Sequence, residues 1–179
     1  MSDVVERAIS RSLAKVGSGM RFLVFVLAVL PVSAFALSCM PHGVTNAYQA
    51  AAAAEEGYVP VLGTLDFDPD LLPEMDLSGQ SDTPPVTLIP ATFRGVAMTV
   101  RGLDRPFETD VVLEVQCSGP WCPQPQPGKM LGFLRQTSHS HVLHTNACGG
   151  FLFGRPTDGQ VAQVRDCLAG RRCEARTRP

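Results

Sequence analysis

Short stretches of alternating apolar and polar residues follow one another through the middle of the chain. The first, "YVPVLGTLDF" (58–67), is rich in β-branched and apolar residues and predicts a strand. Gly63 predicts a bulge within this strand, and Pro60 places its first residues at a strand start or on a sheet edge.

Four later segments show the same alternation and predict two pairs of strands. "TFRGVAMTVRGL" (92–103) and "ETDVVLEVQC" (108–117) form the first pair. "KMLGFLRQ" (129–136) and "HVLHTNAC" (141–148) form the second, around the turn "TSHS".

A helix is predicted on each side of the strands. "TNAYQAAAAAEEG" (45–57) has Thr45 or Asn46 to cap it, an alanine run to favour it and Gly57 to end it. "PTDGQVAQVRDCLAG" (156–170) has a threonine and a glutamine at capping-box spacing. Five strands between two short helices predict a mainly β domain, either a barrel or a sandwich.

The longest apolar run, "FLVFVLAVLPVSAFA" (22–36), has a different character. It follows Arg21, ends in Ala-Phe-Ala and predicts a secretory signal that is cleaved after Ala36. At about 15 residues it is shorter than the roughly 20 that a membrane helix needs, so no membrane span is expected. Residues 1–36 are interpreted as a leader, with Met20 as a possible true start.

Six cysteines follow the predicted cleavage site: Cys39, Cys117, Cys122, Cys148, Cys167 and Cys173. In an exported chain an even number indicates disulfides, and fifteen pairings are possible. The C-x4-C and C-x5-C spacings are not those of common zinc sites. A lipid anchor at Cys39 is a further alternative, although Ala36 fits the lipid-attachment pattern poorly.

Charge is distributed unevenly along the chain. The net charge is −2, so a nucleic-acid partner has no support from overall electrostatics. Residues 66–85 hold six acids, four prolines and no base, and they predict a long acidic loop. The alternating aspartates in it lack the glycine and the distal glutamate of an EF-hand. Residues 171–179 form a basic tail.

Several of these segments together resemble a known module. They are "LSCMPHG" (37–43), "NAYQAAAAAEEGYVPVLGTL" (46–65), "ETDVVLEVQC" and "GFLRQ…HVLHTNACGGF". In order and cysteine placement they are similar to the netrin-like module shared with tissue inhibitors of metalloproteinases. The resemblance covers about residues 37–170. It implies a small five-stranded closed barrel of OB type with two short helices, and a Cys39–Cys148 disulfide.

The resemblance also implies a way to inhibit a protease. Such inhibitors ligate the protease zinc through an N-terminal cysteine, and Leu37 stands at the matching position. Leu37 cannot form the family's first bridge, so its amine is not fixed against the barrel, and ordering it costs entropy. Inhibition through the edge near Leu37 and Ser38 is therefore the alternative to binding by another surface.

Other side chains offer candidate chemistry. His139 and His141 would face the same side of a strand, with His144 on the other, and such a cluster could hold zinc or copper. Trp121, the only tryptophan, lies in the cysteine-flanked loop "CSGPWC" and could either contact a partner or cover one end of the barrel.

No nucleophile–base motif or phosphate loop is present, so neither catalysis nor a cofactor is expected. The predicted function is an exported, non-catalytic binding module of netrin-like type, periplasmic or extracellular, whose partner is another exported protein. Protease inhibition and metal binding are the alternatives.

Overall fold

The computed structural model of the chain describes residues 37–75 and 83–174, and of Leu103 and Asp104 the backbone alone. The predicted leader 1–36, the middle of the acidic loop and the end of the basic tail lie outside the described residues. Every helix and strand given below belongs to one compact unit that begins at Ser38.

The described residues form seven strands and two α-helices. The strands are β1 Tyr58–Phe67, β2 Val86–Thr99, β3 Gly102–Gln116, β4 Gly128–Gln136, β5 His141–Asn146, β6 Gly149–Gly150 and β7 Leu152–Gly154. The helices are α1 Val44–Ala53 and α2 Asp158–Leu168, and a 3-10 turn spans Pro69–Leu71.

Five of the strands close into a ring. Strand β1 pairs with β2 and β4, β2 pairs with β3, and β4 pairs with β5, all antiparallel. The ring is completed by β5, which runs parallel to β3. The short strands β6 and β7 extend the sheet from β5 and β4. The predicted fold class, a mainly β, OB-like five-stranded barrel with two short helices and disulfides, is confirmed.

Two apolar clusters hold the fold together. Alternate residues of each strand point into the barrel, as the two-residue period of a strand requires. The most buried of these are Val61, Leu65, Ile89, Phe93, Leu113, Val115, Leu134 and Leu143. A second cluster joins the outside of β4 to the two helices and contains Val44, Ala47, Leu131, Phe133 and Val164.

The bulge predicted at Gly63 is wrong. Strand β1 pairs with β2 without a register shift there, and Gly63 lies directly opposite Gly95. A Cβ atom on Gly63 would lie 2.7 Å from the Phe93 ring and 2.7 Å from the Gly95 Cα. The glycine therefore provides room for an aromatic ring. The register shift occurs instead between Ala97 and Thr99 of β2.

The hairpin predicted from 92–103 and 108–117 is present but longer than expected. Strand β2 runs from Val86 to Thr99 and β3 begins at Gly102, so a turn of two residues joins them. The sequence did not indicate this length, because Pro90 and Pro106 lie inside the paired strands, where proline is seldom found.

The second predicted pair is only partly present. Strands β4 and β5 share two residue pairs, Arg135 with Val142 and Gln136 with His141. Over its whole length β5 pairs instead with residues 111–116 of β3. It also ends at Asn146, before Cys148.

The helices differ from prediction mainly at the first one. Helix α1 begins after Gly43, whose N–H donates to Asn46 Oδ1 at 3.2 Å, and it ends at Ala53 instead of Gly57. Asn46 therefore caps the helix from its first turn, and neither it nor Thr45 is the N-cap residue. In α2 the predicted capping box is present: the Gln160 N–H donates to Thr157 Oγ1 at 3.2 Å.

All six cysteines are paired, as Cys39–Cys148, Cys117–Cys122 and Cys167–Cys173. The first pairing is the one that the resemblance implied. It also occupies the Cys39 sulfur, which a thioether-linked lipid would require. Within residues 37–75 and 83–174, neither α-helix has the length and apolarity needed to cross a bilayer.

Candidate functional site: a groove on the outer face of strands β2 and β3

A concave surface of the barrel lies on the outer face of β2 and β3. Ile89 and Ala91 point into the core, so the residues on either side of Ile89, Leu88 and Pro90, point outward. Pro90 is paired with Val112 of β3, and these two residues form the floor.

The groove has a volume of about 540 Å³ and is open to solvent. Its outward-facing lining residues are Asp66, Leu88, Pro90, Thr92, Asp110 and Val112, and Ser140 contributes from the turn before β5. Leu88 is 62% exposed although it lies on a strand that is paired along its length. An exposed apolar side chain within a concavity of this size is typical of a binding surface.

A row of two carboxylates borders the groove on one side. The strand registers place Asp66 of β1 opposite Thr92 of β2, and Thr92 opposite Asp110 of β3. Since neighbouring strands lie about 4.8 Å apart, the two aspartates are separated by roughly 10 Å across the sheet. In the next row, Arg94 Nε donates to Glu108 Oε1 at 2.7 Å.

A polar network borders the groove on the other side. Leu88 is paired with Glu114, whose Oε1 atom lies 2.9 Å from His144 Nδ1. The second oxygen of Glu114 lies 3.5 Å from Arg135 Nη2, and this arginine also approaches Glu56 at 3.8 Å. The negative charge of Glu114 is therefore already paired with Arg135 and hydrogen-bonded to His144 within the protein.

Tyr58 lies beside this network. Partial burial raises the pKa of its phenol above the usual 10.0, and the neighbouring Glu56 and Glu114 raise it further, while Arg135 lowers it. The ring also packs on Phe151 at a centroid distance of 4.9 Å. The phenol therefore remains protonated over the neutral pH range.

The structure does not assemble the three predicted metal ligands. His139 lies in the exposed turn before β5, whereas the His141 Nδ1 atom lies 3.1 Å from Thr109 Oγ1. His144 faces Glu114 instead. Throughout 37–75 and 83–174, no three His, Cys, Asp or Glu side chains come together in a group that could hold a metal ion.

The predicted partner-binding residues lie elsewhere than the groove. Leu37 and Ser38 are exposed at the start of the described chain. Trp121 is half-buried in the loop closed by Cys117–Cys122, where its backbone bonds to Ser118 in both directions. None of these three residues lines the groove.

The residues of the groove itself were missed by the sequence analysis. Leu88 and Pro90 lie in "VTLIPA" (86–91), a mostly apolar segment that adjoins the proline-rich loop and holds a proline of its own. Asp66 was included both in the predicted strand 58–67 and in the acidic loop 66–85, and it is the penultimate residue of β1. The available signal was the β-branched and apolar content of residues 86–91, which favours a strand, and in a strand Leu88 and Ile89 lie on opposite faces.

Comparison with known proteins adds no assignment to this geometry. The chain matches no protein-family model, no curated protein and no solved structure. The netrin-like resemblance thus stays a prediction, and a functional proposal must rest on the chain's own surface.

Proposed function

We propose that the protein is an exported, non-catalytic binding module that holds another exported protein in the groove on β2 and β3. The observation that carries this proposal is Leu88, an apolar side chain 62% exposed at the border of a groove of about 540 Å³. Pro90 and Val112 continue the apolar surface beside it. Contiguous apolar surface in a concavity is costly to leave in water, and covering it drives association.

The disulfides support the export part of the proposal. All six cysteines are paired, and disulfides persist in oxidising compartments such as the periplasm or the extracellular space. The netrin-like assignment is supported by the Cys39–Cys148 pairing and by the order of helix and strands, and it belongs to the same proposal.

The rigidity of the groove supports a binding role. Its floor is built on two strands joined over residues 86–99 and 102–116, and β3 is also paired with β5. A preformed surface on paired strands loses little conformational entropy when a partner binds.

Site-specific photo-crosslinking tests the proposal in the cells that make the protein. A photoreactive amino acid at Leu88 should crosslink one exported protein, which mass spectrometry would identify. Val100 is the matched control, because it is 70% exposed but lies in the turn between β2 and β3, outside the groove. Substitution of Pro90→Ser should weaken the Leu88 crosslink.

Equal crosslinking from the Leu88 and Val100 positions would mean that the contacts are nonspecific. Absence of any crosslinked protein at Leu88 would contradict the proposal. A Leu88 crosslink that is unchanged in a Val112→Asp variant would also contradict the proposal.

A protease inhibitor is a second candidate, supported by the exposed N-terminal segment. Met40 is 85% exposed next to the disulfide that holds Cys39, while His42 Nε2 lies 2.7 Å from the Gly150 oxygen. If the mature chain begins at Leu37, it should inhibit a secreted zinc protease, and one added alanine before Leu37 should abolish inhibition. Equal inhibition by both forms would contradict a role for the free amine.

A further inference from the structure

We infer that the segment bound in this groove is an extended peptide with an apolar residue and a lysine or arginine two positions apart. This inference rests on the proposed function and specifies the chemistry of the partner. It follows from the charges on the two sides of the groove and from their spacing.

The side of the groove near Thr92 carries negative charge that no ion pair among the described residues neutralises. Arg94, two residues from Thr92 on β2, is engaged by Glu108 at 2.7 Å. Asp66 and Asp110 are both exposed, and neither forms an ion pair with any residue in 37–75 or 83–174. Asp66 feels Arg94 at longer range.

On the opposite side of the groove, the negative charge is already paired within the protein. Glu114 is held by Arg135 at 3.5 Å and by His144 at 2.9 Å, so its charge is already met. A cationic side chain of a partner would therefore be attracted to the Asp66–Asp110 row and not to the Glu114 side. The groove thus has a direction, from apolar to acidic.

The spacing of the rows fits an extended chain. Pro90 and Thr92 are two residues apart on β2, and so are Val112 and Asp110 on β3. The acidic row consequently lies about 6.6 Å along the strands from the apolar floor. In an extended peptide, residues i and i+2 face the same side at this same spacing. If one apolar side chain of the peptide lies on the floor, the side chain two positions away lies over the carboxylates.

The same charges disfavour a nucleic acid. Phosphates approaching Asp66 and Asp110 would meet carboxylates at the position where a phosphate-binding groove carries lysine or arginine. A peptide with basic residues has the complementary charge.

Fluorescence polarisation with labelled peptides tests the inference on the purified, oxidised full chain. The first probe repeats Leu-Ser-Lys, the second replaces each Lys with Glu, and the third replaces each Leu with Ser. A labelled single-stranded oligonucleotide is the fourth. We expect the first probe to bind about tenfold more tightly than the second, with affinity that falls as salt is added.

Variants assign this binding to the groove. Leu88→Ser should abolish binding of the Leu-Ser-Lys probe, and Asp66→Asn with Asp110→Asn should lower it several-fold. Asp70→Asn with Glu74→Gln removes the same number of charges outside the groove and should leave binding unchanged. Thermal unfolding of each variant identifies any that fail to fold, and Leu88→Met then replaces Leu88→Ser as a conservative test of retained binding.

Equal binding of the Lys and Glu probes would overturn the inference, as would tight binding of the oligonucleotide. Binding that Leu88→Ser does not change would place the peptide elsewhere and would overturn it too. If no peptide binds but the Leu88 crosslink is obtained in cells, the charge inference fails while the proposed function stands. Loss of both would overturn both.

Discussion

At the scale of single residues, the contact between Gly63 and Gly95 permits the barrel to close around Phe93. A Cβ atom on Gly95 would lie 2.5 Å from the Gly63 Cα and 2.9 Å from the Phe93 ring. Backbone atoms cannot move aside as the end of a flexible side chain can, so both strands would have to shift.

Gly95→Ala should therefore lower the free energy of unfolding by about 1–3 kcal/mol, the usual cost of overpacking a core. Urea denaturation measures this difference. Gly154→Ala is the matched control, because nothing lies within 4 Å of its added Cβ. If the two variants unfold at the same urea concentration, the close approach of β1 and β2 is not as described.

The phenol of Tyr58 gives a second test at this scale. Its pKa is raised above 10.0 chiefly by burial. In a Tyr48→Phe background, which leaves one tyrosine, phenolate absorbance should report this raised pKa. Arg135→Gln should raise it further, because the guanidinium lowers it, and Glu114→Gln should lower it.

The raised pKa also affects stability at alkaline pH. The folded protein holds the Tyr58 proton more tightly than the unfolded chain does, so this contribution is complete below pH 10.0. It is lost as pH rises from there through the folded-state pKa. A lowered Tyr58 pKa in the Arg135→Gln variant, or a raised one in the Glu114→Gln variant, would contradict the arrangement of charges around the ring.

At the scale of secondary-structure elements, the cap of α2 is the clearest local signal in the sequence. Thr157→Ala removes the oxygen that accepts the Gln160 N–H and should cost about 1 kcal/mol. Gln163→Ala, an exposed substitution in the middle of the same helix, should be neutral or slightly stabilising. Equal losses in the two variants, measured by thermal unfolding, would show that the capping box is not stabilising the helix.

Local signals predicted most elements but not all of their partners. Thr157 with Gln160 predicts the start of α2, and alternation predicts β1, β3 and β4. The parallel pairing of β5 with β3 could not be predicted, because the period of a strand fixes which face is buried but not which strand lies beside it. Pro90 hid the first half of β2, since proline is seldom found inside a paired strand.

The groove depends on the same long-range information. Asp66, Thr92 and Asp110 lie far apart in the sequence and come together only through the registers of three strands. The histidine pattern, by contrast, was visible in the sequence. Its side chains face different neighbours in the fold because His141 and His144 lie on opposite faces of β5.

At the scale of the whole molecule, the Cys39–Cys148 disulfide joins residues 109 positions apart, while the other two join residues 5 and 6 apart. Loop-closure entropy gives about 5 kcal/mol for the long link and about 2 kcal/mol for a short one. Replacing Cys39 and Cys148 together by serine should therefore lower the unfolding free energy more than replacing Cys117 and Cys122. Denaturation without reductant measures both, and equal losses would contradict the ranking.

The central claim, that the protein is an exported barrel stabilised by three disulfides, is tested most directly by non-reducing peptide mapping. The protein should be isolated from the periplasmic or extracellular fraction of the cells that make it. We predict three linked peptide pairs, Cys39–Cys148, Cys117–Cys122 and Cys167–Cys173, and no free thiol. A different partner for Cys39, or six free thiols in protein recovered from the cytosol, would contradict the account.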